Sequence, residues 1–267
     1  MSHRRVCILG AGNIGRALIG GLLRSGTRPE QLSAADPDAA ARTQLARDFG
    51  ITAGDPAQAS ADASIVVLAV KPQEAQALLR QLAAALAATR PLLISVAAGV
   101  RIAALESWCP AVPVLRAMPN RPALIGAGAS GLYAPPGISA ELRRAAEQVL
   151  GSVGETVWVD SEDALDVVTA LSGSGPAYFF LLAELMAEAG QRLGLTAATA
   201  RRLAAATLYG SGLMARGESD LARLRDSVTS AGGTTAAALA VFSESQLPAI
   251  VERALDAATR RGRQLGS

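Results

Sequence analysis

Near its C-terminal end the chain reads SVTSAGGTTAAAL, from Ser227 to Leu239. Five hydroxyl side chains and two adjacent glycines lead into an alanine-rich run that looks helical, with no acid, base or thiol among them. Such a stretch cannot run acid–base chemistry through a group that titrates near neutrality. It can offer hydroxyls that donate and accept, and backbone N–H groups at a helix start, where an anion is favoured. A second stretch, GAGNIG, sets Gly10, Gly12 and Gly15 in a G-x-G-x-x-G pattern. The first glycine permits a tight turn, the second lets backbone approach a pyrophosphate, and the third lets helix pack on strand. Dinucleotide binding is the chemistry this pattern implies; a purely structural turn is the alternative.

Three further residues stand where such a site would need them. Asp36 follows the turn by about twenty residues, where an acid accepts from the adenosine ribose 2′-hydroxyl and repels a 2′-phosphate. That favours NAD, yet Asp36 before Pro37 also reads as a helix N-cap with proline at the first helical position, so both readings stand. Lys71 is the only lysine in a chain that otherwise uses arginine for every cation. In AVKPQ it falls at the carboxyl end of an apolar run, the edge where open α/β sheets bind ligands; a surface lysine reaching water is the alternative. Asn120 in RAMPN holds the same edge of a later strand and can face the nicotinamide or cap a loop. His3 is the only histidine, which disfavours imidazole chemistry.

The elements that must position these residues follow from periodicity. Arg5 to Leu9 is an apolar run of strand length, and from Ile14 to Arg24 the spacing turns helical. LSAAD gives a second strand ending at Asp36, and SIVVLAV, Ser64 to Val70, a third that is apolar throughout, as expected of a parallel strand covered on both faces. Helix Glu74 to Ala87, PLLISVAA, helix Ile102 to Trp108, PVLRAMPN, SGLYAP, helix Ala140 to Leu150 and ETVWVD continue the alternation. The fold class is therefore α/β, with a doubly wound, mainly parallel sheet. After Asp160 only helical periodicity remains, interrupted by the glycines and proline of LSGSGPAYFF, Leu171 to Phe180. A boundary near 160 divides a dinucleotide-binding domain, 1–160, from an all-α domain, 161–267. Thin alanine-rich and glycine-rich helices make a small core alone, so a homodimer is expected.

Composition excludes other classes. Half of the 267 residues are hydrophobic and 18% are charged, so disorder is not expected away from the ends. A net charge of +2, with scattered arginines and no interleaved aromatics, gives no reason to expect nucleic acid. Apolar runs look too short for a membrane span, the start lacks a secretory pattern, and a cytoplasmic protein is expected. Cys7 and Cys109 are isolated, so neither a disulfide framework nor a metal site is expected.

With GAGNIG, LAVKP, SVAAG, RAMPN, LSGSGPAY and SVTSAGGTTAAAL in this order, the chain resembles the pyrroline-5-carboxylate reductase family from Val6 to about Leu265. The resemblance implies an N-terminal Rossmann domain and a C-terminal helical domain that binds substrate and interlocks with a second subunit, sometimes in rings of dimers. It implies hydride transfer from NADPH or NADH to the C=N of a small cyclic imine carboxylate, giving L-proline. Gly10, Ala11, Gly12, Asn13, Ile14 and Gly15 would cradle the pyrophosphate, with Asp36 at the 2′ position. Ala69, Val70, Lys71, Pro72 and Ala97 would contact the cofactor, with Asn120 nearby. Glu162, Ser227, Ser230, Gly233, Thr234 and Thr235 would hold the substrate, with the Thr235 hydroxyl at the imine nitrogen as the catalytic contact. Glu162 has no other claim to function, since its residue type and place equally suit a first-turn acid or N-cap contact. Two positions depart from the pattern: Ala231 replaces a proline before the double glycine, and Arg121 replaces a threonine after AMPN. Another reductase of the same plan and a non-catalytic dinucleotide-binding protein are the rival readings.

Overall fold

We describe a computed structural model of the chain, which defines residues 4–218 and 220–265. His3 lies outside the described residues. The chain divides into two compact units, one of residues 1–174 with 258–267 and one of residues 175–257.

The first unit is built on an eight-stranded sheet: β1 Val6–Leu9, β2 Leu32–Ala35, β3 Thr52–Gly54, β4 Ile65–Leu68, β5 Leu92–Ser95, β6 Val114–Met118, β7 Gly128–Tyr133 and β8 Gly154–Trp158. Its order is β3-β2-β1-β4-β5-β6-β7-β8, and β6 with β7 is the antiparallel pair. The central strands VCIL, IVVL and LLIS are buried at every residue. Alternation sends Val6 and Ile8 into one hydrophobic layer and Cys7 and Leu9 into another. The first layer is closed by α1 (Asn13–Arg24) and α6 (Ala140–Gly151) through Leu18, Leu22, Val149 and Leu150. The second is closed by α4 (Pro72–Thr89) and α5 (Ile102–Trp108) through Leu79, Leu82, Leu86 and Leu105. Between β1 and β4 the strand order reverses, which opens the crevice where doubly wound sheets bind ligands.

Two elements were not expected from the sequence: β3, and α3 (Pro56–Ser60) after it. A three-residue strand, TAG, on the sheet edge carries no apolar period to read. The β2–β3 connection is α2 (Ala39–Phe49). After β8 come α7 (Ala164–Val168) and a π-helical turn over Thr169–Gly173, closed by the Ser174 N–H donating to the Thr169 carbonyl at 2.8 Å. The second unit begins with α8 (Gly175–Arg192), followed by α9 (Ala197–Gly217), α10 (Leu221–Ser227), α11 (Thr234–Glu244) and the first half of α12 (Leu247–Leu265).

The glycines and Pro176 of LSGSGPAY therefore give a π turn and a helix start, where proline costs no hydrogen bond. This corrects the expectation that no apolar run reaches membrane length. Within the helical stretch Ala164–Arg192 an 18-residue window has a mean hydropathy of 1.3, and 22% of that window is buried. In the second unit α8 packs on α9 through small residues: Ala187 and Ala200 are buried, and a Cβ on Gly190 would meet the Ala200 Cβ at 3.7 Å. Phe179, Phe180, Leu181 and Tyr209 remain 54–70% exposed in the single chain.

Candidate active site

The glycine turn lies at the β1/β4 crevice, and each of its glycines has a separate physical reason. Gly10 has φ +111°, and a Cβ there would lie 2.5 Å from the Ala69 carbonyl oxygen at the end of β4. A Cβ on Gly15 would lie 2.0 Å from the Gly10 carbonyl oxygen and 3.2 Å from Ile8 Cγ2, so this glycine sets the helix on the strand. Around Gly12 nothing lies within 4 Å of an added Cβ, which leaves open space in front of the turn. Gly12 is also the N-cap of α1 and gives no side-chain cap, so the first N–H groups of α1, from Asn13, Ile14 and Gly15, have no intrahelical acceptor. Uncapped helical donors behind open space fit a pyrophosphate.

Asp36 borders this turn. Its Oδ2 accepts from the Ala11 N–H at 2.8 Å and its Oδ1 from the Asp38 N–H at 2.9 Å. The N-cap of α2 is Asp38, whose side chain accepts from the Ala40 N–H. The capping alternative for Asp36 is thereby corrected, and its carboxylate faces the dinucleotide turn. Arg42, which sequence reasoning passed over, donates from Nη1 to the carbonyls of Asp36 at 2.6 Å and Pro37 at 3.0 Å.

Along the same sheet edge, Ala69 and Val70 are half-buried, Ala97 is buried, and Lys71 is exposed as the N-cap of α4, which starts at Pro72 rather than Glu74. Asn120 is 8% exposed. Its Oδ1 accepts from the Ala129 N–H at 2.9 Å and its Nδ2 donates to the Ser172 carbonyl at 3.0 Å, so the loop-capping reading is the one seen. Arg121 beside it is exposed.

Glu162 Oε1 accepts from the Ile102 N–H at 2.7 Å and from Arg116 Nη1 at 2.8 Å. It caps the start of α5 and pairs with an arginine whose side chain is 5% exposed. The expected role of Glu162 at the start of its own helix is corrected, since α7 has Asp163 as its N-cap and no side-chain cap, and the Glu162 carboxylate reaches α5 and β6 instead; a substrate contact rests on resemblance alone. Arg116 was not singled out from the sequence; its signal is a charge inside the strand VLRAM, which must find a partner once buried. Next to it Arg101 donates to Asp163 at 2.6 Å and to Asp166 at 2.9 Å. Burial works against the Arg101 charge, but the Asp163 hydrogen bond and the nearby carboxylates outweigh it and hold its pKa above the ordinary value.

In the second unit, the stretch of Ser227 to Leu239 forms a turn and a helix start. The Gly233 N–H donates to the Ser230 carbonyl at 3.0 Å, and Gly232, third residue of that four-residue turn, has φ +70°. Those are the marks of a type II turn, which favours proline at its second residue, the position of Ala231. A Cβ on Gly233 would lie 2.3 Å from Ser230 Oγ, so the second glycine makes room for that hydroxyl. Gly233 is the N-cap of α11 without a side-chain cap. The first helical N–H groups, from Thr234, Thr235 and Ala236, therefore need an outside acceptor. Thr234 is exposed and Thr235 half-buried. Ser227 Oγ donates to the Leu224 carbonyl at 2.7 Å, which closes α10.

Two family patterns match the chain: "Pyrroline-5-carboxylate reductase dimerisation" over residues 162–265, and "NADP oxidoreductase coenzyme F420-dependent" over residues 5–99. A pyrroline-5-carboxylate reductase of Pseudomonas aeruginosa is 47% identical over 99% of this chain and 98% of its own length. The solved structure of a pyrroline-5-carboxylate reductase from Coxiella burnetii superposes with a TM-score of 0.95 at 36% identity, covering 99% of each chain. That of a Plasmodium falciparum pyrroline carboxylate reductase with NADP bound gives 0.83 at 26% identity, covering 100% of each chain. The dinucleotide turn, the hydroxyl-rich start of α11 and this likeness over the full length lead to one conclusion: the chain belongs to the pyrroline-5-carboxylate reductase family.

Proposed function

We propose that the protein is an NAD(P)H-dependent reductase of the C=N bond of L-1-pyrroline-5-carboxylate, forming L-proline. The observation that carries this reading is the uncapped, hydroxyl-bearing start of α11 in a chain with an uncapped glycine turn. A reduced nicotinamide supplies the hydride. Everything the chain must add is binding and placement.

The imine nitrogen of the substrate takes a proton from water near neutrality, so its carbon is already electrophilic and no strong acid is required. The N–H groups of Thr234, Thr235 and Ala236 bind the substrate carboxylate, as helix starts bind anions. The Thr235 hydroxyl accepts from the protonated ring nitrogen and fixes the orientation of the ring. Orientation of this kind is worth roughly 7–11 kcal/mol in well-aligned reactions. Ser230 shapes the turn, and Ser227 stabilises the helix end before it. A dehydrogenase of β-hydroxyacids would need a lysine or equivalent acid in the helical part, and no lysine follows Lys71.

NADH is the proposed preferred cofactor. Asp36 has two oxygens on the rim of the turn, each already accepting one N–H, with capacity left for ribose hydroxyls. Its charge opposes a 2′-phosphate. Lys71, at the carboxyl edge of the sheet, adds a cation near the dinucleotide. We also propose that the working form is a homodimer joined through the helical unit, where Phe179, Phe180, Leu181 and Tyr209 gain cover. Light scattering should then give about twice the 27.2 kDa chain mass, and a ring of dimers a whole multiple of that. Two free, buried thiols fit a reducing compartment, and the cytoplasm is the proposed location.

The direct test is kcat/KM for NADH and for NADPH with pyrroline-5-carboxylate. Turnover is expected with both, faster with NADH; no turnover with either ends the reading. Thr235→Ala should lower kcat by about 10- to 1000-fold, the scale of one orienting hydrogen bond, with melting unchanged.

A further inference from the structure

We propose that Arg42 is a second specificity-determining residue at the adenosine corner, opposing Asp36 by attracting a ribose 2′-phosphate. The inference rests on the dinucleotide reading above and adds to it the residue that sets how far NADPH is tolerated.

Arg42 stands four residues after the N-cap of α2, Asp38. A helix start is the wrong end for a cation, because its free N–H groups already carry positive potential. The side chain nevertheless leans back toward that end, where Nη1 binds the carbonyls of Asp36 and Pro37 at 2.6 and 3.0 Å. One of those carbonyls belongs to the residue whose carboxylate holds the Ala11 N–H of the glycine turn. The guanidinium is therefore tethered to the β2–α2 turn on the same residue that faces the ribose. Both tethers use Nη1, and a guanidinium carries five donors in a planar fork suited to phosphate.

The corner thus holds charges of both signs: the carboxylates of Asp36 and Asp38 and the guanidinium of Arg42. A ribose diol can be met by Asp36 alone. A 2′-phosphate, carrying close to two negative charges, is repelled by Asp36 and attracted by Arg42. Cofactor choice is then a difference between two opposing side chains, and each should move it in its own direction.

The test uses the full chain and two adenosine fragments, AMP and adenosine 2′,5′-bisphosphate, titrated by calorimetry so that turnover plays no part. Arg42→Gln should weaken the bisphosphate about tenfold more than AMP, the scale of one charged hydrogen bond. Asp36→Asn should tighten the bisphosphate about tenfold, and adding Arg42→Gln should remove that gain. A purely structural tether would weaken both fragments equally in Arg42→Gln, and that result, or no change with either fragment, overturns the proposal. Wild-type protein that binds neither fragment would overturn the dinucleotide reading itself and the proposal with it.

Discussion

The second and third glycines of the dinucleotide turn should separate packing from ligand contact when each is changed to alanine. At Gly15 the new Cβ would stand 2.0 Å from the Gly10 carbonyl oxygen, against 3.4 Å for an ordinary contact. That carbonyl has little room to retreat. The Gly10 N–H is bonded to the Ala35 carbonyl at 2.8 Å, and the Cβ direction of Gly10 already points at the Ala69 carbonyl. Overpacking of this kind costs ~1–3 kcal/mol, partly offset by the better helix propensity of alanine, about 1 kcal/mol at most. For a chain of this size each kcal/mol moves Tm by ~2–4 °C, so Gly15→Ala should melt several degrees lower.

Gly12 is the control. Its φ of −67° and ψ of −178° suit any residue, and an added Cβ meets nothing within 4 Å. Gly12→Ala should therefore melt within about 0.5 kcal/mol of wild type, while its methyl group fills the space proposed for the pyrophosphate. Its Kd for NADH, read by calorimetry, should rise about tenfold or more, the scale of losing one charged hydrogen bond. Wild-type affinity in Gly12→Ala would refute the placing of the pyrophosphate. Wild-type melting in Gly15→Ala would refute the packing argument.

Three other outcomes are expected. Glu162→Ala leaves Arg116, 5% exposed, without its carboxylate; breaking such a pair costs ~3–5 kcal/mol when fully buried, so a loss near the lower figure is expected in denaturant titration. The KM for the imine should stay unchanged, whereas a large KM rise with wild-type stability would restore Glu162 as a substrate ligand. Ala231→Pro, at the second position of the type II turn, should stabilise by ~0.4–1 kcal/mol and leave kcat unaltered; a falling kcat would mean the turn must move during catalysis. Burial pushes the Cys7 thiol up from 9.0 to about 12, against a smaller lowering by its Ser33 hydrogen bond. Because the unfolded chain ionises first, this contribution is complete below pH 9 and is lost as pH rises toward 12. Wild type should therefore lose stability across that window more steeply than Cys7→Ala, and parallel curves would contradict the assignment.

The doubly wound sheet was legible because strand and helix periods are local: VCIL, IVVL and LLIS declare themselves by three or four apolar residues in a row. The glycine turn was legible because its spacing lies within six residues. The edge strand Thr52–Gly54 was not, since a short run of small residues has no period. The length of the helical stretch Ala164–Arg192 is not legible because glycine and proline read locally as punctuation, while the backbone absorbs them in a π turn and a helix start.

The sequence by itself determined which segments become most of the strands and helices and where the glycine turn falls between the first strand and its helix. Only the tertiary structure decided what the charged side chains do. Asp36 reads equally as a cap and as a ribose contact until Asp38 takes the capping place and Ala11, 25 residues away in sequence, donates to Asp36. Glu162 reads as an acid in the first turn of its own helix, and only the fold brings Arg116 and Ile102 to it from β6 and α5. A hydrogen-bond partner is chosen by proximity in space, and the local patterns that build helices and strands carry no record of which distant residue will arrive beside them.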